Sequence, residues 1–424
     1  MAYPSKLERI LAWSIIAFAF AIPWSSALYR ISLFFILVFG AIFIFIYFES
    51  RNWKKLEFFD GELYLYLPLA VPCFLSLWIT LTWFWTSGSN EFYRFDVSRY
   101  TKLWMIPIFA FLISRLLHRR KIIIIYAFAL GTLILMVPSY LDYFGLFKLL
   151  GLDATKLGNY SYRSSSDRGF NLVYWRNQIV HGLHVSLLFS LALLTSPVNV
   201  MRRYFHWLVA TACVFDIVFL ITGRMALISL CASAITFLAL AVPSRCKRIL
   251  LTTIGVGTGI MMLAFNSEIR MRLMSVWIEL LEYFSNSNTQ TSAGSRLHYW
   301  QISLDLFLQQ PFLGTGAGSF RTWLVTTHDS LSEQSHYHAH NEYITQLSEF
   351  GLIGLGLFLA MISGIFKALR ACTDRRIQGG VSVALVIFCV NALSDSSLHN
   401  EWEGWTFVLF SSLAGSYLFD LSKA

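Results

Sequence analysis

Charge is what this chain has least of. Asp, Glu, Lys and Arg make up 13% of its 424 residues, against roughly 25% in soluble domains, while 56% are hydrophobic. So little charge excludes an ordinary soluble domain and points to lipid. Cysteine is also sparse. Cys73, Cys213, Cys231 and Cys389 fall in apolar runs, and Cys246 and Cys372 in short basic connections. The two long polar connections, 145–176 and 266–340, hold none, which excludes a disulfide-stapled outer domain and suits an oxidising outer side. There is no internal repeat and no low-complexity tract. The glycine-rich stretch GTGAG (314–318) has neither a preceding strand nor a following Lys-Ser/Thr, so it reads as a turn and not as a nucleotide loop.

What is present is a series of apolar runs. A bilayer-crossing helix needs roughly 20 apolar residues, and the runs predict twelve spans near 10–28, 31–48, 63–86, 102–117, 121–144, 177–196, 205–222, 225–242, 249–265, 341–366, 377–394 and 404–421. The separation of the seventh and eighth rests on "TGR" alone. The first run follows Lys6 and Arg9 but is long and is followed by many others, so it reads as a retained helix rather than a leader. The basic connections at Arg51/Lys54/Lys55, 115–121, Arg202/Arg203, 245–248 and Arg370/Arg375/Arg376 share one side with both termini. By the positive-inside rule that side is cytoplasmic. The net charge of +9 is then largely topogenic, and no nucleic-acid partner is expected.

The expected organisation is nine spans and the outer loop 145–176 in residues 1–265, an outer helical lid at 266–340, and three final spans in 341–424. Within the lid, Ile269, Leu273, Val276, Trp277, Leu280, Leu281 and Phe284 recur at helical spacing, predicting an amphipathic helix. A second helix is expected from Arg296 to Gln309, closed by Pro311.

Outer-side arginines run against the positive-inside tendency. Arg224 sits in the short turn between two apolar runs, where a cation either snorkels or meets an anion. Arg296 follows Gly294-Ser295 and is expected to open a helix, where an anion would face both guanidinium and backbone N–H groups; it also reads as a plain surface charge. The densest histidine cluster is "HYHAHN", His336, His338 and His340 followed by Asn341. If a helix begins near Asn341, His340 stands at its cap, and Leu347, Gly351 and Gly354 return to nearly the same stripe at about 100° per residue. That stripe would let the helix press against a neighbour. Histidine is suited to accepting a proton near neutral pH. The alternating histidines could instead bind zinc, but zinc sites usually draw on several segments and no cysteine accompanies these, so no metal and no other cofactor is expected.

"HNEYITQLSEFGLIG" fits an H-N-x9-G-x-x-G signature through His340, Asn341, Gly351 and Gly354, and in this resembles the O-antigen ligase and polymerase superfamily. Glu349 matches a frequent acidic position. Arg296, Trp300, Pro311, Gly314 and Gly316 resemble the family's Arg-x-x-x-Trp and Pro-x-x-Gly-x-Gly segment, and "TGRMALIS" its short arginine-bearing turn through Arg224. Asp395, in the last outer loop, resembles an acidic position of some ligases. The motifs cover about 220–356, and the N-terminal third agrees in hydropathy alone. The resemblance implies an all-α polytopic glycosyltransferase of GT-C type in the bacterial inner membrane, with its lid and active site periplasmic. Such an enzyme is metal-independent and inverting. It moves O-antigen glycan from undecaprenyl pyrophosphate to lipid A–core. His340 is the first choice for the base and His338 the second. Arg224, Arg296, Arg168 and Arg163 are the candidates for holding the donor, with Asn341, Glu349, Gly351, Gly354 and Asp395 in support.

An O-antigen polymerase or a protein O-oligosaccharyltransferase would share these features and differ in acceptor. A transporter would place charges and broken helices at the midplane, whereas only Asp216 reads as deeply placed. A membrane scaffold would have no use for the His-Asn motif or the two arginines.

Overall fold

The computed structural model describes residues 5–50, 66–151, 177–195, 200–221, 223–253, 255, 267–286, 289–327 and 338–421. Every regular element among them is helical. In lipid each backbone N–H and C=O needs a partner within the protein, which a helix supplies from its own segment. Among the described residues six helices are long and apolar enough by themselves to cross a bilayer: Ser26–Tyr47, Leu67–Phe84, Ile122–Tyr143, Arg203–Leu220, Arg224–Ala241 and Glu342–Ala371. The chain is a multi-pass membrane protein. Shorter helices at Lys6–Ala21, Met105–Leu116, Gln178–Leu194, Arg375–Asn391 and Glu401–Gly415 lie where further spans are expected. Most of 249–265 lies outside the described residues, as do Arg163, Arg168 and His336.

Packing in lipid relies on close backbone approach and interhelical hydrogen bonds. A Cβ on Gly182 would lie 2.4 Å from that of Ala226, so the Gln178–Leu194 and Arg224–Ala241 helices nearly touch there. Below that point Ser190 meets Ser233 at 2.5 Å, Ser233 donates to Ser186 O at 2.6 Å, and Asn391 Nδ2 donates to Ser229 Oγ at 2.8 Å. Hydrogen bonds of this kind are worth roughly 0.6 kcal/mol each on average. Together with the close contact they fix the helix that begins at Arg224. The "TGR" division is real: a π-helical turn, Asp216–Leu220, ends one helix and Arg224 opens the next.

The expected role of Gly351 and Gly354 needs correction. The Glu342–Ala368 helix breaks at Gly351, whose φ of 68° and ψ of −168° are not helical. The freed backbone groups are taken by the glycine-rich turn. Gly316 N donates to Glu349 O at 2.8 Å, Thr315 N to Ser348 O at 3.1 Å, and Leu352 N to Pro311 O at 2.9 Å. A Cβ at Gly351 would meet Phe312 O at 2.3 Å, and one at Gly354 would meet Phe350 Cβ, in the same helix, at 2.2 Å. The two glycines therefore accommodate a kink and a docked loop, not a neighbouring helix. Helix contact falls further along, where a Cβ on Gly364 would lie 3.1 Å from Pro68 Cα.

Two helices, Ser267–Asn286 and Ser292–Gln309, are present in the segment expected to form a lid. On the first, Met271, Met274, Trp277, Ile278, Leu281 and Phe284 are exposed, an apolar face of the kind that lies on a bilayer. The second starts a turn earlier than expected, capped by Thr291, whose side chain accepts from Gly294 N. Arg296 thus stands in the second turn and does not open the helix.

Candidate functional site

Asn341 caps the Glu342–Ala368 helix, accepting from Ile344 N at 3.1 Å, while its Nδ2 donates to Leu393 O at 3.0 Å. Glu342, fully buried, accepts from Tyr100 Oη at 3.0 Å, Gln346 Nε2 at 2.8 Å and Leu398 N at 2.9 Å. Its backbone N–H donates to Ala392 O at 2.8 Å. These bonds clamp the start of the helix to the 392–400 segment and bring Asp395 beside the histidines.

His340 Nδ1 lies 3.4 Å from Asp395 Oδ1, and His338 Nε2 lies 3.8 Å from the same oxygen. The two imidazoles meet edge to face with centroids 4.5 Å apart. His340 is the one non-glycine residue at positive φ among those described, at 51°. A left-handed backbone there is costly enough to persist only under surrounding constraint, and such residues concentrate at functional sites. It turns His340 N toward His338, whose Nδ1 accepts at 3.2 Å. His340 keeps 20% of its side chain exposed and His338 10%. Behind them the ring of His399 lies 5.2 Å from that of His338, and His399 Nε2 meets the buried Asp96 at 2.9 Å. Tyr299 of the second lid helix stacks on His340 at 6.2 Å. Burial alone would push the Asp395 carboxyl up, but the contact with His340 and the charge of both histidines outweigh it and hold it well below its ordinary value.

Both candidate arginines belong to this neighbourhood. Burial pushes the Arg296 guanidinium below its ordinary value; Asp395 and Glu279 oppose that shift and Arg224 adds to it. Arg296 Nη1 donates to Ser292 Oγ at 2.9 Å, and its Nε is buried without a hydrogen-bond partner. Arg224 is not a bare cation: Nη2 donates to both oxygens of Glu279, at 2.9 and 3.1 Å. Glu279 Oε2 also accepts from Ala293 N at 2.9 Å, in the first turn of the second lid helix. A carboxylate of this chain therefore stands where the sequence pointed to a bound anion.

His338, His340 and Asp395 each offer one ligand atom, all within 4.8 Å of one another. Two chain segments contribute, so this trio is the group among the described residues that could hold a metal. Glu349 is buried and accepts from Phe320 N at 3.1 Å; it supports the glycine-rich turn and does not join the histidines. Glu279, Glu342, Asp96 and His399 are additions that the sequence reading missed. For His399 a signal was available, since His399-Asn400 is a second His-Asn pair directly before a helix.

These features define a multi-pass helical membrane protein with a paired His–Asp centre, flanked by arginines, under a helical lid. Residues 209–359 match the family model of O-antigen ligase. Over 246 residues the chain is 22% identical to the teichuronic acid biosynthesis protein TuaE of Bacillus subtilis, covering 55% of this chain and 49% of that one. Over 108 residues it is 34% identical to the O-antigen ligase of Escherichia coli, covering 24% and 26%. The chain thus spans about half of the first relative and about a quarter of the second. The likeness to the O-antigen ligase family lies in this stretch, which contains Arg224, Arg296, His338 and His340.

Proposed function

We propose that this protein transfers O-antigen glycan from undecaprenyl pyrophosphate to a sugar hydroxyl of lipid A–core, at the periplasmic edge of the bacterial inner membrane. The observation that carries the reading is the His340–Asp395 contact beside Arg296 and Arg224. His340 Nδ1 lies 3.4 Å from Asp395 Oδ1; a neutral ring that carries its proton there has its lone pair on Nε2. That nitrogen takes the proton of the acceptor hydroxyl as the oxygen attacks the anomeric carbon. The bond from that carbon to the pyrophosphate oxygen breaks, and undecaprenyl pyrophosphate leaves with the electron pair. One displacement inverts the anomeric centre. Pyrophosphate is already a good leaving group and needs charge stabilisation more than protonation, which Arg224 and Arg296 would supply. Asp395 orients the base and balances the imidazolium that forms. His338, whose Nδ1 is taken by the backbone of His340, is the second choice.

The test is to incubate the purified protein with undecaprenyl-linked glycan and lipid A–core under chelation and look for the joined product. Product without added metal supports the reading. Loss under chelation with recovery on zinc would instead assign His338, His340 and Asp395 as metal ligands. The match to a teichuronic acid biosynthesis protein favours a second reading, polymerisation, in which another glycan unit is the acceptor. Elongated glycan in the absence of lipid A–core would establish it.

A further inference from the structure

A cavity lined by residues of the 33–37, 95–105 and 401–405 stretches is built from elements that carry neither Arg224 nor Arg296. Its volume is about 370 Å³, within the roughly 300–1,000 Å³ typical of small-molecule sites. One end is polar, with Ser98, Arg99, Thr101, Lys102 and Glu401, and the other apolar, with Leu33, Leu37, Met105 and Trp405. The gradient repeats along each wall: Lys102 precedes Met105, Glu401 precedes Trp405, and Arg30, outside the lining but paired with Glu401, precedes Leu33 and Leu37, at spacings that keep a helical face. Three walls that all pass from polar to apolar in one direction match a ligand with a charged head and an alkyl tail.

The sign of the head follows from the charges. Glu401 is already matched, by Arg30 at 2.7 Å and by Tyr29. Lys102 is buried, with its ammonium donating to a neutral carbonyl, Asn400 O, at 2.8 Å. Neither Lys102 nor Arg99 ion-pairs with a carboxylate among the described residues; Arg99 lies over the Phe95 ring at 4.6 Å. Glu401, Glu342 and Glu403 act on this ammonium only from beyond ion-pair distance, so its burial remains costly, yet space is reserved for it: a Cβ at Gly404 would lie 2.3 Å from Lys102 Nζ. Two lining residues link the cavity to His399. Lys102 holds the carbonyl of the residue next to His399, and Phe95 packs on the His399 ring at 5.6 Å.

We propose that this cavity is the acceptor-lipid subsite: Arg99 and Lys102 bind a headgroup phosphate of an acylated glycolipid, and one acyl chain runs past Leu33 and Leu37 to the bilayer. This rests on the transfer function proposed above. It puts the acceptor lipid on the wall made by residues 95–105 and 401–405, and leaves the two outer arginines to the donor.

A photocrosslinking experiment tests it. Leu37→p-benzoylphenylalanine protein is placed in phosphatidylcholine nanodiscs containing bisphosphorylated lipid A, its dephosphorylated form, or undecaprenyl pyrophosphate. Bisphosphorylated lipid A should crosslink best. The yield should fall about tenfold or more in Lys102→Met and in Arg99→Gln, be unaffected by excess inorganic phosphate, and persist in Arg224→Ala. Arg99 is half-buried, so Arg99→Gln serves if Lys102→Met does not fold. Equal capture of dephosphorylated lipid A or phosphatidylcholine, or preferred capture of undecaprenyl pyrophosphate, would overturn the assignment. So would a transfer-active protein whose acceptor KM is unchanged in both variants. Capture of lipid A by a protein that transfers no glycan would leave the subsite standing and remove the proposed function.

Discussion

At the scale of single residues, the site depends on His340 being held in a backbone conformation that costs energy. His340→Ala should lower transfer by about 10²–10⁴-fold at saturating donor, the usual worth of a general base, with donor binding retained because a base acts in the transition state. His338→Ala should cost less. Turnover near wild type in both variants would end the base assignment. Transfer should lose rate on the acid side of a profile run from about pH 5.5 to 8.5, because protonation removes the lone pair that a base needs. Asp395, held well below the ordinary carboxylate value, stays ionised throughout that window, so the acid limb is not its own. Glu279 yields a separate prediction. Because its carboxylate covers Arg224 and an amide of the second lid helix, an incoming pyrophosphate must displace it. Glu279→Gln should therefore bind undecaprenyl pyrophosphate more tightly than wild type, about fivefold or more by equilibrium binding, and weaker binding would show that Glu279 orders the site instead. Arg224→Lys should not restore what Arg224→Ala loses, since lysine lacks the bidentate fork.

At the scale of elements, the break at Gly351 joins the His-Asn helix to the 311–316 turn through exchanged backbone bonds. A helix continuous through 351 would close its own hydrogen bonds and leave that turn without partners. Gly351→Ala meets both a positive φ and a clash of 2.3 Å with Phe312 O. Its expected effect is a lower midpoint of thermal unfolding and faster proteolysis at 311–327, with less than tenfold change in the activity of protein that remains folded. An unchanged midpoint would show that the kink is not load-sharing. The repeated spacing of glycines in the sequence was legible as a signal of close approach. That the approaching group is a loop entering a broken helix was not, because regular periodicity presumes an unbroken helix.

At the scale of the molecule, Arg224 and Arg296, the histidine centre and the amphipathic cavity come from separate stretches of the chain, spanning residues 33 to 405. Lipid-linked substrates diffuse in the plane of the bilayer, so access from two directions at its edge suits a reaction that joins two of them. The orientation is open to direct test. Cysteines at Ser287 and Ser330 should label from the periplasm in intact cells, and a cysteine at Arg120 should not. Labelling of Arg120 from outside would reverse the molecule and place the site in the cytoplasm.

The sequence by itself determined the membrane class, the two helices between 267 and 309, the turn before Arg224 and the helix start at Asn341, because each rests on local information: apolar length, helical period and capping chemistry. It also marked His340, Asn341 and Arg224 through short-range motifs. Tertiary structure alone decided which distant groups meet them. Asp395 reaches His340 because Glu342 ties its helix to the 392–400 segment. Glu279 reaches Arg224 because the two lid helices fold back over the turn. Lys102 is buried beside Asn400 because Gly404 leaves it room. Such pairings join residues about 55 to 300 positions apart, and nothing in the local pattern of either partner encodes the other.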